Sequence, residues 1–259
     1  MNNDGEILAG RTVLVTGASS GLGAHLAQLM ARSGARVALA ARRVEMLATV
    51  QAKITDAGGA AISISLDVTD EASVQACYDR IDAAFGGVDS VIANAGMSIE
   101  GRALDIAIEQ FDALMAVNVR GVFLTAREAA RRMIRDGSPE RGHGRILIVS
   151  SMTAVSVAPG LAPYSASKAA VMQLGRVLAR DWARLGICVN SILPGYIQTE
   201  LNTDWFASEP GQRQISRWPR KRLMAPSSLD SIALLLCSDA SAQTTGSHFL
   251  IDDGQSMIG

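Results

Sequence analysis

The stretch YSASK places a phenol, Tyr164, and an ammonium group, Lys168, four residues apart. On a helix this spacing puts both side chains on one face. An unperturbed Tyr has a pKa of about 10, and a neighbouring cation lowers that pKa towards the range in which a general acid or base works well. The pair therefore predicts a proton-donating Tyr. The alternative is a chance pairing on a helix surface, and the rest of the chain decides between the two.

A second chemical motif, TGASSGLG, begins where a short apolar run ends. Gly17, Gly21 and Gly23 have the spacing G-x-x-x-G-x-G at a predicted strand-to-helix turn. Glycines allow a tight turn and let a phosphate approach the main-chain N–H groups that open the helix. The spacing differs from the commoner G-x-G-x-x-G pattern and from a P-loop, which continues with Gly-Lys-Ser/Thr. We expect a bound dinucleotide here rather than a turn without a ligand.

The end of the second predicted strand bears on which dinucleotide binds. An acid at this place binds the ribose 2′-hydroxyl of NAD(H) and would repel a 2′-phosphate. This strand ends instead in AARR, where Arg42 and Arg43 follow without an acid. A guanidinium group matches a phosphate in charge and geometry. The sequence therefore predicts NADP(H) held by Arg42, with NAD(H) possible, and predicts that Arg43 only begins a solvated helix.

Short apolar runs alternate with longer amphipathic segments along the chain, which is typical of an α/β fold. Consecutive β-branched and apolar residues suit strands covered on both faces, as in a parallel sheet. The predicted strands are Thr12–Thr16, Val37–Ala41, Ile62–Leu66, Val88–Ala93, Arg145–Ser150, Ile187–Leu193 and Phe249–Ile251. Helical patterns lie between them, at Gly23–Ser33 and after YSASK. Right-handed crossovers would give a single domain over residues 1–259, a doubly wound parallel sheet with helices on both faces.

Residues 199–226 interrupt this alternation. The segment contains two internal prolines and is too long for an ordinary connection. Insertions of this kind tend to be functional lids. Two of the three tryptophans, Trp205 and Trp218, lie here beside Phe206, which argues against a merely solvated loop. We expect Trp205 and Phe206 to form an apolar wall of a substrate pocket.

The charge balance limits the partners. The 259 residues carry 24 basic and 25 acidic side chains, a net charge of -1, so nothing attracts nucleic acid or an anionic membrane. No apolar run reaches the ~20 residues of a membrane span, and the N-terminus has no apolar core of a signal peptide. These features predict a soluble, cytoplasmic protein. The basic cluster Arg217–Arg222 is either solvated or attracts an anionic substrate.

Neither the cysteines nor the histidines have the spacing of a metal site. Cys77, Cys188 and Cys237 are far apart, so we expect free thiols in a reducing compartment. The three histidines are scattered as well. Asp252 and Asp253 precede Gly254, and acids at such a place more often form a turn than a metal pair. No metal is predicted.

Together these motifs make the chain closely resemble the short-chain dehydrogenase/reductase (SDR) family, classical type. The resemblance rests on TGASSGLG, Asn94-Ala95-Gly96 and YSASK, in that order over nearly the whole chain. It extends to Asp67, Asn118, Ser150-Ser151 and Pro194-Gly195 at the expected intervals. It implies a Rossmann-type sheet of about seven strands, an NAD(P)-dependent oxidoreductase acting on alcohols and ketones, and a homotetramer, or a homodimer.

The resemblance also implies a role for each matching residue. Tyr164 would be the catalytic acid/base, and Ser151, thirteen residues earlier, would hold the substrate oxygen. Lys168 would hold the nicotinamide ribose and tune Tyr164, and Asn118 would hold a water linking Lys168 to solvent. The cofactor contacts implied are Gly17, Ser19, Ser20, Gly21, Leu22, Gly23, Arg42, Asp67, Val68, Asn94, Ala95, Gly96, Tyr164, Lys168, Pro194, Ile197 and Thr199.

One small departure is Ala93, where the family often has a further Asn. The function expected is the NADP(H)-dependent interconversion of a ketone and a secondary alcohol by hydride transfer. A 3-oxoacyl-thioester reductase of the same family is an alternative. A catalytically silent cofactor-sensing protein is another, but it would predict a damaged set of catalytic residues, and Asn118, Ser151, Tyr164 and Lys168 are all present.

Overall fold

The structure is a computed structural model that describes residues 6–198 and 202–257. Its described residues form one seven-stranded sheet in the order β3-β2-β1-β4-β5-β6-β7, with every neighbouring pair parallel. The strands are β1 (Thr12–Thr16), β2 (Arg36–Ala41), β3 (Ala60–Ser65), β4 (Ser90–Ala93), β5 (Gly144–Val149), β6 (Ile187–Pro194) and β7 (His248–Ile251). The predicted doubly wound parallel sheet is confirmed.

Helices cover both faces of this sheet. They are α1 (Gly21–Arg32), α2 (Val44–Asp56), α3 (Glu71–Phe85), α4 (Ile108–Met115), α5 (Gly121–Arg135), α6 (Ser138–Arg141), α7 (Ala162–Trp182), α8 (Thr203–Ala207), α9 (Glu209–Arg217) and α10 (Asp230–Cys237). A π-helical stretch, Ala116–Arg120, joins α4 to α5. Short 3-10 turns lie at Met152–Ala154, Ala183–Leu185, Pro226–Leu229 and Asp239–Ser241. None of the helices in the described part of the chain is both long enough and apolar enough to cross a membrane.

The first strand shows why these strands are apolar at consecutive positions. Val13 and Val15 pack into a core layer with Leu26 of α1, whereas Leu14 packs into the opposite layer with Val91 of β4. Successive side chains of a strand point to opposite faces. Because helices cover both faces, each position of β1 is buried.

The sheet order reverses at the boundary between β1 and β4, since β2 lies on one side of β1 and β4 on the other. In open α/β sheets a ligand crevice forms at such a point, outside the carboxyl ends of the strands. The glycine loop follows β1, and Asn94 follows β4. The topology therefore brings together two motifs that are more than 70 residues apart in sequence.

Most predicted strand bounds agree with the structure to within two residues, and those of β1 agree completely. The fourth strand begins at Ser90 instead of Val88. Asp89 precedes this strand; its carboxylate accepts a hydrogen bond from the Thr12 N–H (2.8 Å), and its own N–H donates to the Thr12 carbonyl (3.0 Å).

Candidate active site

A cavity of about 1600 Å³ opens along the carboxyl ends of β1, β4 and β5. Drug-sized ligands occupy pockets of about 300–1,000 Å³, so this cavity has room for a dinucleotide and a second molecule. The glycine loop lies at one end and the helices α8 and α9 at the other. The loop that follows β5 and the first turn of α7 form the wall between them.

Tyr164 and Lys168 lie in the first two turns of α7, on the face that borders the cavity. The Lys168 nitrogen is 5.6 Å from the centroid of the Tyr164 ring. Lys168 is buried, and its ammonium group donates to the Val149 carbonyl at 2.9 Å. The helical spacing predicted for YSASK is confirmed, and the end of β5 fixes the cation behind the phenol.

Ser150 and Ser151 follow β5 and have different partners. The Ser151 hydroxyl lies close enough to the Tyr164 phenol to lower the pKa of that phenol, and it accepts from the Thr153 N–H at 3.2 Å. The Ser150 hydroxyl donates to the main-chain carbonyl of Lys168 at 2.8 Å. Ser150 therefore holds α7 against the sheet, whereas Ser151 lies beside the phenol. This geometry favours Ser151 as the residue that meets a substrate oxygen.

Burial is the strongest influence on both ionisable groups of the pair. It raises the pKa of Tyr164 above its usual value, the hydrogen bond from Ser151 opposes this, and the nearby Tyr196 phenol adds to it. Burial also lowers the pKa of Lys168 to about 8. Desolvation, and not the ammonium group, therefore has the largest effect on the pKa of Tyr164 in this structure.

Asn118 lies in the π-helical stretch that joins α4 to α5. Its buried amide accepts from the Met97 N–H (2.8 Å) and donates to the Met97 carbonyl (2.9 Å) and to the Ser167 hydroxyl (3.0 Å). Ser167 in turn donates to the Tyr164 carbonyl at 2.7 Å. Asn118 is thus tied to the YSASK turn itself, and π-bulges of this kind are frequent at functional sites.

The glycine loop packs directly on the segment that follows β4. Asn94 donates from its side-chain amide to the Thr16 carbonyl (3.0 Å), and its N–H donates to the Thr16 hydroxyl (3.1 Å). Gly17 has φ 68°, and a Cβ there would lie 3.0 Å from the Cα of Ala95. A Cβ on Gly23 would clash with the Gly17 carbonyl. Side chains would fill this cradle, so the glycines keep its main chain accessible to a phosphate.

Arg43, not only Arg42, belongs to this end of the cavity. Arg43 donates to the hydroxyls of Ser19 (3.1 Å) and Ser20 (2.8 Å), so the prediction that it merely begins a solvated helix is wrong. The sequence signal for this contact is the pair of serines in the glycine loop, because their hydroxyls can accept from a guanidinium group that follows the neighbouring strand. Arg42 is exposed and lines the cavity close to Asp67.

Asp67 and Val68 follow β3 and line the cavity beyond Arg42. The Asp67 carboxylate accepts from the Thr69 N–H (2.9 Å) and the Thr69 hydroxyl (2.7 Å), and these bonds, helped by Arg42, lower its pKa. Val68 is buried against Gly121 at the start of α5. The remaining residues predicted to contact cofactor also line the cavity, namely Gly21, Leu22, Gly96, Pro194 and Ile197, whereas Thr199 lies outside the described residues.

The lid end is built on three aromatic side chains. The Tyr196 ring stacks on Trp218 at 5.3 Å between centroids and meets Phe206 edge-on at 5.6 Å. Phe206 and Trp218 are buried, whereas Trp205 is half exposed, and all four aromatics line the cavity. The predicted wall of Trp205 and Phe206 is thus present, but Tyr196, which follows the Pro194-Gly195 motif, is a site residue that the sequence did not identify.

A turn near the C-terminus fastens the end of the lid to the loop after β6. The Gln255 side chain is buried; it accepts from the Tyr196 N–H (2.6 Å) and donates to the carbonyls of Tyr196 (3.4 Å) and Arg222 (3.3 Å). Asp252 accepts from the Gly254 N–H (3.0 Å), as expected of a turn, and Asp253 pairs with Arg222 at 2.8 Å. Gln255 carries no motif that would reveal this position.

The family model for short chain dehydrogenases matches residues 11–210. A D-threitol dehydrogenase from Mycolicibacterium smegmatis is 33% identical over 250 residues, which cover 96% of this chain and 94% of the relative. The chain belongs to the short-chain dehydrogenase/reductase family. The resemblance to its classical type is confirmed, and the chain is an oxidoreductase that acts on CH–OH groups.

Two further members resemble this short-chain dehydrogenase along its whole length. A gluconate 5-dehydrogenase from Gluconobacter oxydans is 35% identical and covers 95% of each chain. The crystal structure of a gluconate 5-dehydrogenase from Burkholderia cenocepacia, in complex with NADP and tartrate, matches with a TM-score of 0.90, 34% identity and 98% coverage of each chain. The Rossmann-type fold expected from the sequence is confirmed.

Proposed function

We propose that this chain is an NADP(H)-dependent oxidoreductase that interconverts a ketone and a secondary alcohol, with Tyr164 as the general acid and base. One observation carries the proposal. The Ser151 hydroxyl lies beside the Tyr164 phenol on the wall of the cavity, and the Lys168 nitrogen lies behind that phenol, 5.6 Å from the ring centroid. Two adjacent hydroxyl groups can donate to a single substrate oxygen.

The chemistry follows from where charge develops. NADPH, when bound, would supply the hydride, and in ketone reduction negative charge would then grow on the carbonyl oxygen. Tyr164 donates its proton to that oxygen, and Ser151 stabilises the growing charge by a second hydrogen bond. Because burial raises its pKa, Tyr164 is protonated before ketone reduction begins and has a proton to donate. In alcohol oxidation Tyr164 accepts the proton instead.

The proton on Tyr164 must be replaced after each turnover. Lys168 lies behind the phenol, and its pKa of about 8 lets it exchange protons near neutral pH. Asn118 would hold the water that links Lys168 to solvent. Its side-chain amide is held in place by Met97 and Ser167, and the amide oxygen has a second lone pair that can accept from that water.

NADP(H) is the preferred cofactor in this proposal, and NAD(H) is the alternative. The support is the pair Arg42 and Arg43, both lining the cavity after β2 where no acid is present. The Arg43 guanidinium is already oriented by Ser19 and Ser20. The glycine loop and Asn94 would face the phosphates and ribose, Asp67 and Val68 the adenine, and Ile197 and Thr199 the nicotinamide. The related gluconate 5-dehydrogenase holds NADP.

The relatives' names indicate a first set of substrates. D-threitol is a polyol and gluconate a sugar acid, so short polyhydroxylated alcohols and their ketones are the compounds to assay first. The purified protein would be mixed with NADP⁺ or NAD⁺ and such a panel, and reduced cofactor followed by absorbance. Turnover with a higher kcat/KM for NADP⁺ is expected. Cofactor binding without turnover of any alcohol or ketone would favour the cofactor-sensing alternative.

We further propose that the protein works as a homotetramer, or a homodimer, in the cytoplasm, and that residues 1–259 act as one domain with a lid at 199–226. The support for an assembly is an apolar groove between α5 and α7, which another copy could cover. Phe123 and Val177 are exposed at this groove. Light scattering coupled to size-exclusion chromatography would measure the number of subunits, and a monomer would contradict the proposal.

A further inference from the structure

One face of α9 is turned towards the cavity. Pro210, Arg213, Gln214 and Arg217 line the cavity and lie at positions i, i+3, i+4 and i+7, which share a helix face. Gly211, on another side of α9, is buried so tightly that a Cβ there would clash with the Trp205 carbonyl. This close packing fixes the rotation of α9 about its axis, so its two arginines are held on the cavity side.

The same face lies next to the catalytic tyrosine. The Gln214 side chain lies close enough to the Tyr196 phenol to lower the pKa of that phenol, and Tyr196 in turn is close enough to Tyr164 to raise the pKa of Tyr164. Trp205 also approaches Gln214, with its indole nitrogen 3.5 Å from the amide oxygen. Arg217 lies three residues after Gln214, which places it about 4.5 Å further along the axis of α9. A substrate that reaches from Tyr164 along α9 therefore meets Gln214 and then Arg217.

Arg217 differs from the other arginines of the lid in its partners. Arg213 pairs with Glu209 at 3.2 Å, and Arg220 and Arg222 both pair with Asp253. Among residues 6–198 and 202–257, no carboxylate forms an ion pair with Arg217. A guanidinium group that faces a cavity without an acid partner is suited to bind an oxyanion through two parallel hydrogen bonds.

The acids on the cavity wall limit what else can bind. Among the described residues that line the cavity, Asp67 lies at the far, cofactor end. Glu100 lies near the aromatic cluster, where burial, together with the Glu100 charge, raises the pKa of Tyr196. Glu100 would repel a second anionic group but can accept hydrogen bonds from hydroxyls. This part of the cavity thus suits a molecule with one negative end and hydroxyl groups between that end and the reacting carbon.

We propose that the cavity face of α9 is a subsite for one anionic group of the substrate, with Arg217 as its main ligand and Gln214 beside it. The substrate is then a hydroxy acid, or a phosphorylated alcohol, oxidised at a secondary hydroxyl. The subsite rests on the proposed function, because it assumes that Tyr164 reacts with an alcohol or ketone. It adds a charge requirement that the catalytic residues do not impose.

The test compares alcohols that differ only at one end. One series is pentane-1,4-diol, 4-hydroxypentanoate and 4-hydroxypentyl phosphate, and a second is erythritol, erythronate and erythritol 4-phosphate. For the full-length protein with NADP⁺, we expect kcat/KM to be about tenfold higher for an anionic member than for the neutral one, the low end for a charge-assisted hydrogen bond. The larger of the two anionic rates identifies a carboxylate or a phosphate.

Three variants assign the effect to Arg217. Arg217→Met should reduce the anionic-to-neutral ratio of kcat/KM about tenfold, and Arg217→Lys should restore part of it. Arg220→Met is the matched control, because Arg220 is exposed, ion-paired with Asp253 and absent from the cavity wall. It should leave the ratio unchanged.

Two results would overturn the inference; one contradicts the subsite alone, and the other contradicts the proposed function as well. If the neutral alcohols are oxidised at the same kcat/KM as the anionic ones, or Arg217→Met lowers both alike, the subsite is wrong while the proposed function stands. If no member of either series is oxidised or its ketone reduced, the proposed function and the subsite fail together.

Discussion

The cofactor end and the lid end of the cavity are built differently. At the cofactor end, formed by the glycine loop and the segments that follow β2, β3 and β4, polar side chains tie the main chain of one strand end to the next, as Asn94 does with Thr16. At the lid end, formed by α8, α9 and Trp218, aromatic packing holds the helices and charged side chains stay exposed.

This difference separates residues that the sheet needs for its structure from residues that can change without disturbing the sheet. A change in the strand-end contacts disturbs the parallel sheet, so the residues there are constrained by the fold and by cofactor together. A change on the cavity face of α9 disturbs only a helix that packs on Phe206 and Trp218. We therefore propose that the cofactor end and the middle of the cavity carry the chemistry, and that the lid end selects the substrate.

The largest of the expected effects distinguishes the two serines in the middle of the cavity. Ser151→Ala should lower kcat by about 100- to 1,000-fold, because it removes a donor to the oxygen on which negative charge develops. Ser150→Ala should change kcat far less and lower the free energy of unfolding by about 1 kcal/mol, since Ser150 bonds the Lys168 carbonyl. Steady-state kinetics and urea unfolding measure both. Equal losses of kcat would mean that the two hydroxyls share one structural role.

The next effect concerns the two arginines of the cofactor end. Arg42→Met and Arg43→Met should each lower kcat/KM for NADP(H) about tenfold and leave NAD(H) unchanged, because the 2′-phosphate is the group lost from the interaction. Lys53→Met, on the exposed side of α2, is the control. Parallel losses with both cofactors would show that the arginines support the loop rather than the phosphate.

The smallest expected effect concerns Gln255, which bonds the main chain of the loop after β6 and of the end of the lid. Gln255→Met removes the bonds to Tyr196 and Arg222, and we expect about a fivefold rise in KM for the cofactor, which corresponds to about 1 kcal/mol. Asn190→Leu is a matched control, since its buried amide bonds the main chain at Thr244 (2.7 Å) and Ser247 (3.1 Å) away from the cavity wall. Both variants should unfold at lower urea concentration. An unchanged KM in Gln255→Met would limit that residue to stability.

The glycine loop of the cofactor end and the Tyr–Lys pair in the middle of the cavity could be predicted from the sequence because their motifs are local. A glycine loop after an apolar strand, and a Tyr and Lys four residues apart on a helix, have few physical arrangements, and the structure shows the spacing expected of each. The sequence also predicts the burial of β1, because apolar residues at consecutive positions of a strand require cover on both faces of the sheet.

What the sequence missed depends on contacts between distant segments. The sequence assigns Arg43 to solvent because its partners, Ser19 and Ser20, are 24 and 23 residues away. Gln255 reaches Tyr196 over 59 residues, and no local pattern marks a buried amide. The π-helical turn at Asn118 likewise depends on bonds to Met97 and Ser167. The rise in the pKa of Tyr164 required its burial to be known.

The central claim is that Tyr164 exchanges the proton, and Tyr164→Phe tests it most directly because the ring and its packing remain. Steady-state turnover of an accepted substrate would be measured beside a fluorescence titration with NADPH. The account predicts that turnover falls by at least about 100-fold, the low end for losing a general acid, while the Kd of NADPH stays within about twofold. Substantial turnover by Tyr164→Phe with intact cofactor binding would contradict it.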